Sequence, residues 1–196
     1  MAYESSVSPI LAVAALSSVF GALLLMVAAE LPKLDAVRSL IFDHGQKLML
    51  AVAFTATASS LYYSEAVGFV PCEFCWFQRI AMYPLFALLL VAVVTRSRID
   101  ARYLVVLATA GLALSVYHFQ LQLFPAQAGV CSGPVSCTGK YVEEFGLITI
   151  PFMAGCGFLT ILLLQAAEWR VGYLYRSWRQ YEDAEIEEIQ DAPLPA

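Results

Sequence analysis

Five long apolar runs, separated by short polar stretches, set the pattern of this chain: residues 9–29, 47–66, 76–95, 102–123 and 147–167. A bilayer hydrocarbon core about 30 Å thick takes roughly 20 apolar residues per helical crossing, so each run predicts a membrane-spanning helix. Thr55, Thr57, Ser59 and Ser60 dilute the second run most. Small hydroxyl residues serve close helix contacts in lipid, so we read this run as a span turned toward its neighbours. A closed β-barrel would instead alternate over segments of about 10 residues. The predicted fold class is therefore all-α, a polytopic membrane helix bundle.

The polar stretches organise that bundle. Segment 30–46 mixes Leu34, Val37, Leu40, Ile41 and Phe42 with Lys33, Asp35, Arg38 and Asp43 at rough helical spacing. That suits either a helix along the inner interface or an ordinary short connector. The loop 96–102 is short enough to make its flanking spans antiparallel neighbours. After Arg179 the chain is acidic and ends in prolines, and disorder is expected there.

Composition excludes a soluble domain: 60% of the 196 residues are hydrophobic, 14% are charged, and the mean hydropathy is +0.71. The net charge of -5 arises largely in 182–191, and no basic patch suits nucleic acid. Nine of the 11 Lys and Arg residues fall in three groups: Lys33, Arg38 and Lys47; Arg96, Arg98 and Arg102; Arg170, Arg176 and Arg179. The positive-inside rule puts these groups in the cytoplasm. Segments 1–8, 67–71 and 124–146 hold one basic residue, Lys140, and should face outward. Five spans then place the N-terminus outside and the C-terminus in the cytoplasm. A cleaved signal peptide competes for the first run. The only charge before that run is Glu4, and such a peptide needs positive charge there, so an uncleaved span is preferred.

Four of the five cysteines lie in the two outward segments, as Cys72 with Cys75 and Cys131 with Cys137. An oxidising compartment lets disulfides persist. The first pair is a C-x-x-C at the start of the third run, where unpaired backbone N–H groups and the helix dipole stabilise a thiolate. Arg79 lies four residues beyond Cys75, on the same helix face and one turn into the membrane, where an arginine is costly without a partner. The second pair sits in a loop with Gly129, Gly133 and Pro134. A disulfide closing so small a loop removes little chain entropy, which makes exchange a better reason for it than stability. Static cross-links in both loops, or a zinc site built from both pairs, are the competing readings. Cys156, alone between Gly155 and Gly157, is read as a small hydrophobe, and His44 as structural or solvated.

The run Cys72-Glu73-Phe74-Cys75-Trp76-Phe77-Gln78-Arg79-Ile80-Ala81-Met82-Tyr83-Pro84 resembles the signature opening the second core helix of DsbB and, more closely, of its Gram-positive relative BdbC. The likeness continues through Tyr117-His118-Phe119-Gln120-Leu121-Gln122-Leu123-Phe124-Pro125, through 131–137, and through Phe145-Gly146-Leu147-Ile148-Thr149-Ile150-Pro151. It implies three regions: an extra N-terminal span with its connector (1–46), a four-helix catalytic core (47–167) and a cytoplasmic acidic tail (168–196). It also implies an oxidoreductase that re-oxidises a soluble, extracytoplasmic, thioredoxin-like protein of the DsbA/BdbD type and passes the electrons to a membrane quinone, ubiquinone or menaquinone. In that scheme Cys131–Cys137 oxidises the partner, a reduced loop thiol attacks the C-x-x-C disulfide at Cys72, and Cys75 delivers electrons to the quinone. Arg79 matches the family's quinone-site arginine and His118 a histidine near that site. Gln78 and Trp76 are weaker candidates there, Trp76 being equally suited to anchoring at the interface. A hydrogen-bonded role inside the bundle stays open for His118. No metal is expected.

Two other functions compete. A vitamin K epoxide reductase-like enzyme shares the bundle and a C-x-x-C, but its redox pair comes late in the core, whereas Cys72 and Cys75 precede two core spans. A non-catalytic membrane subunit with braced outer loops is the second. The first span, 9–29, lies outside the four-helix core, and its role is open.

Overall fold

A computed structural model of the chain describes residues 4–31, 34–131 and 135–191. Lys33, Gly133, Pro134 and the prolines near the C-terminus lie outside them. Five long helices make up the fold: α1 (Glu4–Glu30), α2 (Asp35–Leu61), α3 (Glu73–Val94), α4 (Ala101–Leu123) and α5 (Ile150–Asp191). A π-helical turn, Tyr62–Ala66, extends α2, and a two-stranded hairpin of β1 (Glu143–Glu144) and β2 (Ile148–Thr149) leads into α5.

Among the described residues, four stretches are long and apolar enough to cross a membrane: Val7–Glu30, Glu73–Val94, Ala101–Leu123 and Ile150–Arg176. The expected crossing at 47–66 is not among them: α2 joins polar His44, Gln46 and Lys47 to a half diluted by Thr55, Thr57, Ser59 and Ser60, and its mean hydropathy falls short. Two of its hydroxyls bond back to the helix's own carbonyls, Thr55 Oγ1 to Ala51 O at 2.9 Å and Ser59 Oγ to Thr55 O at 2.7 Å, whereas Ser60 Oγ accepts from α3 and buried Thr57 Oγ1 has no partner among the described residues. Its buried face repeats every four residues, at Ile41, Gly45, Met49, Ala53 and Thr57, and packs between α3 and α5. Segment 30–46 is thus no separate connector. From Asp35 onward it forms the first turns of α2.

α5 is the central helix, in contact with α1, α2 and α4. Met49, Leu85, Leu89, Leu104, Phe158 and Ile161 fill the core between them. Phe158 of α5 lies directly over Gly111 of α4, where an added Cβ would fall 2.2 Å from the ring. Asp100 caps α4 by accepting from the Arg102 N–H at 2.9 Å, which ends the short loop the sequence marks. The backbone of α5 stays helical to Asp191, in contrast to the disorder expected after Arg179. The segment 180–191 holds four Glu and two Gln and contains no proline, so helix propensity outweighs its charge.

Candidate functional site

The site is built on the first turn of α3. Cys72 is the N-cap residue, extended at φ -74° and ψ 173°, and its Sγ accepts from the Cys75 N–H at 3.4 Å. A sulfur thus stands where Ser, Thr or Asp usually caps a helix. Cys75 Sγ is 2.9 Å from Cys72 Sγ. On the same face, three and four residues on, Gln78 and Arg79 are buried. Gln78 Nε2 donates to Ser115 Oγ of α4 at 3.1 Å. Arg79 donates from Nε to Ser60 Oγ and from Nη2 to Ser60 O, both at 2.9 Å, which ties α3 to the end of α2.

Across from Cys72 stands His118, in the last two turns of α4. Its Nε2 is 3.6 Å from Cys72 Sγ and 3.2 Å from the carbonyl oxygen of Cys137. A carbonyl only accepts, so Nε2 carries the proton and shares it between that oxygen and the sulfur. The buried Nδ1 makes no hydrogen bond among the described residues. Cys137 is disulfide-bonded to Cys131, with Cα atoms 6.2 Å apart. Cys137 is buried and Cys131 partly exposed, and both pack with Cys72, Cys75, Phe74 and Leu121 in one cluster. The thiol of Cys75 and then the imidazole of His118, both donating to Cys72 Sγ, hold the Cys72 thiol well below its ordinary value of 9.0, at about 4, against the opposing effect of burial.

Cys75 also lines a cavity of about 320 Å³. Gln78, Arg79, Met82 and Tyr83 continue its α3 wall; Ala51, Thr55 and Ser60 of α2 and Met153, Gly157 and Phe158 of α5 close the others. Tyr63, Phe69 and Tyr141 cover one end of it as a stack, with centroids 5.8 and 4.7 Å apart. Tyr141 OH donates to Val70 O at 2.9 Å and so stitches the loop between α4 and α5 to the one before α3.

The eight residues singled out from the sequence therefore divide. Cys72, Cys75, Cys131, Cys137 and His118 form a chain of sulfur and imidazole contacts; Cys75, Gln78 and Arg79 face the cavity. Neither His118 nor Trp76 lines it. Trp76 is half exposed on the outside of α3, with the Arg79 guanidinium 5.1 Å from its ring centroid. Ser60, Ser115 and the three stacked aromatics went unmarked in the sequence; the hydroxyl-rich end of the second run was the one hint of Ser60. The two cysteine pairs do not converge as a four-thiolate cluster among the described residues: ligand atoms of Cys72, Cys75 and His118 gather in one group, those of Glu73, Cys131 and Cys137 in another. Cys156 is buried in α5, apart from both pairs.

These features define a polytopic all-α membrane protein with two cysteine pairs joined at one end of the bundle. The sequence model of the family "Disulfide bond formation protein DsbB" matches residues 45–167. The chain belongs to that family, and is a membrane disulfide-bond-forming oxidoreductase. It is 46% identical over 111 residues to "Probable disulfide formation protein C 1" of Bacillus cereus, covering 56% of this chain and 80% of that one. It is 45% identical over 120 residues to "Probable disulfide formation protein" of Oceanobacillus iheyensis (60% and 83% covered), and 40% identical over 114 residues to "Disulfide bond formation protein C" of Bacillus subtilis (57% and 83%). No solved structure matches.

Proposed function

We propose that this protein re-oxidises an extracytoplasmic thioredoxin-like thiol oxidase of the DsbA/BdbD type and passes the electrons to a membrane quinone, ubiquinone or menaquinone. One observation carries the reading: the sulfurs run from partly exposed Cys131, through buried Cys137 and Cys72 on either side of His118, to Cys75 at the wall of an apolar cavity. The distribution of basic residues supports the orientation, with both cysteine pairs and the N-terminus outside and the C-terminus in the cytoplasm.

A thiolate of the partner attacks Cys131, the more exposed sulfur, and Cys137 leaves. The partner's second thiol then displaces Cys131, which leaves a partner disulfide and a loop dithiol. A loop thiolate attacks the Cys72–Cys75 disulfide at Cys72, Cys75 leaves, and the second loop thiol restores Cys131–Cys137. His118 donates to Cys72 and holds its sulfur against the loop. When bound, a quinone supplies an acceptor for the two electrons and two protons of the Cys72/Cys75 dithiol. The cavity fits such a group: apolar side chains and small residues for a ring and a tail, Cys75 on the wall, and Arg79, whose Nη1 makes no hydrogen bond among the described residues, to donate to a ring oxygen. In these poorly screened surroundings the arginine balances negative charge developing at that wall.

The test is Cys137→Ser in membranes supplied with a reduced thioredoxin-like partner. With the resolving thiol gone, the partner should accumulate as a mixed disulfide on Cys131. Mass spectrometry that finds the trapped partner on Cys75 instead reverses the assignment of the two pairs.

A further inference from the structure

The family match begins at residue 45, so α1 lies wholly outside it. The helix is nevertheless fixed to the bundle at three depths. Tyr63 OH donates to Ser8 Oγ at 3.1 Å near one end, Ser18 Oγ meets Thr160 Oγ1 at 3.0 Å in the middle, and Arg170 Nε pairs with Glu30 at 2.8 Å at the other end. Its contacts fall mainly on α5 and only lightly on α2. Between α1 and α2 the cavity reaches the surface: Ala14 of α1 and Ala51 and Thr55 of α2 line it and are exposed at the same time. Inside that rim, Leu11, Ala15 and Ser18 continue the α1 wall at helical spacing with Ala14. The polar end of the cavity, with Cys75, Gln78 and Arg79, belongs to α3.

A volume of about 320 Å³ is at the small end for a ligand pocket, enough for a ring and the start of a substituent. A long polyprenyl chain has to leave, and the bilayer is the solvent that receives it. The geometry points to α1 as a fourth helical wall of the quinone cavity, beside α2, α3 and α5, with the gap between Ala14 of α1 and Ala51 and Thr55 of α2 as the slot through which the tail of a polyprenyl quinone passes into lipid. The inference deepens the quinone reading above and depends on it. It gives the extra helix a duty in substrate selection: the small rim residues admit a tail, while the α3 wall handles the ring.

The test compares two probes on the full-length protein with a reduced partner: tetramethylbenzoquinone, which has no tail, and a quinone of the same ring type with a long polyprenyl tail. Ala14→Phe and Thr55→Phe narrow the slot without touching the α3 wall. Each should lower kcat/KM for the tailed quinone at least about tenfold more than for the tail-less probe, the scale of a steric mismatch in an apolar pocket. Equal loss with both probes, or no loss with either, overturns the slot. If the unsubstituted protein reduces neither quinone while still exchanging disulfides with its partner, the quinone reading itself fails, and the slot with it. A measurement on the unsubstituted protein covers variants that do not fold: a polyprenyl quinone carrying a diazirine on its second isoprene unit should label residues 11–18 and 51–59, whereas labels confined to α3 and α4 refute the path.

Discussion

Gly111→Ala tests whether the α4–α5 contact and the cavity are one packing unit. A Cβ at residue 111 would stand 2.2 Å from Cε1 and Cζ of Phe158 and 2.7 Å from Cδ1. Carbon atoms need about 3.5 Å, so the ring must retreat by more than about 1 Å or the two helices must part. Phe158 is fully buried and also lines the cavity, so the open space for a retreat is the cavity itself. Overpacking of this kind costs about 1–3 kcal/mol, and at about 2–4 °C per kcal/mol for a chain of this length the Tm in detergent should fall by about 2–12 °C. The intruding ring takes room comparable to one methylene, so the apparent KM for a quinone should rise about tenfold. A Phe158→Leu background removes the clash, and there Gly111→Ala should cost at least about 0.5 kcal/mol less. Equal costs in both backgrounds, or an unchanged KM in the single variant, would show that Phe158 does not transmit the strain and that the cavity wall is independent of α4.

Three further outcomes are expected. Arg79→Ala should lower quinone-dependent turnover about 10²-fold, the scale for removing one preorganised charge donor, while Arg79→Lys keeps the charge without the planar fork and loses less; equal turnover in both and wild type would make the arginine an interfacial anchor. In reduced protein carrying Cys131→Ser and Cys137→Ser, thiolate absorbance near 240 nm should hold from pH 9 down to about 5 and fall through about 4, with Cys75→Ala raising that midpoint more than His118→Ala. The folded value lies below the unfolded 9.0, so the thiolate's contribution to the stability of the reduced state is complete above pH 9, declines with acidification and is gone below about pH 4; a midpoint near 9 would remove the cap and the histidine from the account. Cys156→Ala should keep partner oxidation near the wild-type rate, and a loss as large as that of Cys72→Ala would give the buried thiol a redox role.

What the sequence made legible was local. Apolar runs gave the helices, and the four-residue spacing of Cys75 and Arg79 put both on the cavity face of α3, because a helix converts spacing into direction. The rotation of α4 about its axis is set by packing against α3 and α5. For that reason His118 could be placed near the site but not assigned to Cys72 and the Cys137 carbonyl instead of the cavity. Ser60, a dilution in the apolar pattern, became the anchor of Arg79 only once α2 lay beside α3. The covering stack of Tyr63, Phe69 and Tyr141 joins residues up to 78 positions apart, a juxtaposition no local pattern encodes. The helical end of α5 was misread because charge was weighed above helix propensity.

Under the proposed function the sulfur that caps α3 is also the sulfur that changes oxidation state, and this would give the helix a say in redox direction. Donors that favour a thiolate at Cys72 act fully only when the Cys72–Cys75 pair is reduced. Every interaction that stabilises the reduced form raises the reduction potential, by about 30 mV for each 1.4 kcal/mol in a two-electron couple. A charged cap and its imidazole neighbour, at about 1–3 kcal/mol together, thus shift the pair some tens of millivolts toward the oxidising side. Under the proposed function, a strongly oxidising partner at about -120 mV would be re-oxidised only by a couple poised at least as high, and the first turn of α3 would supply part of that poise.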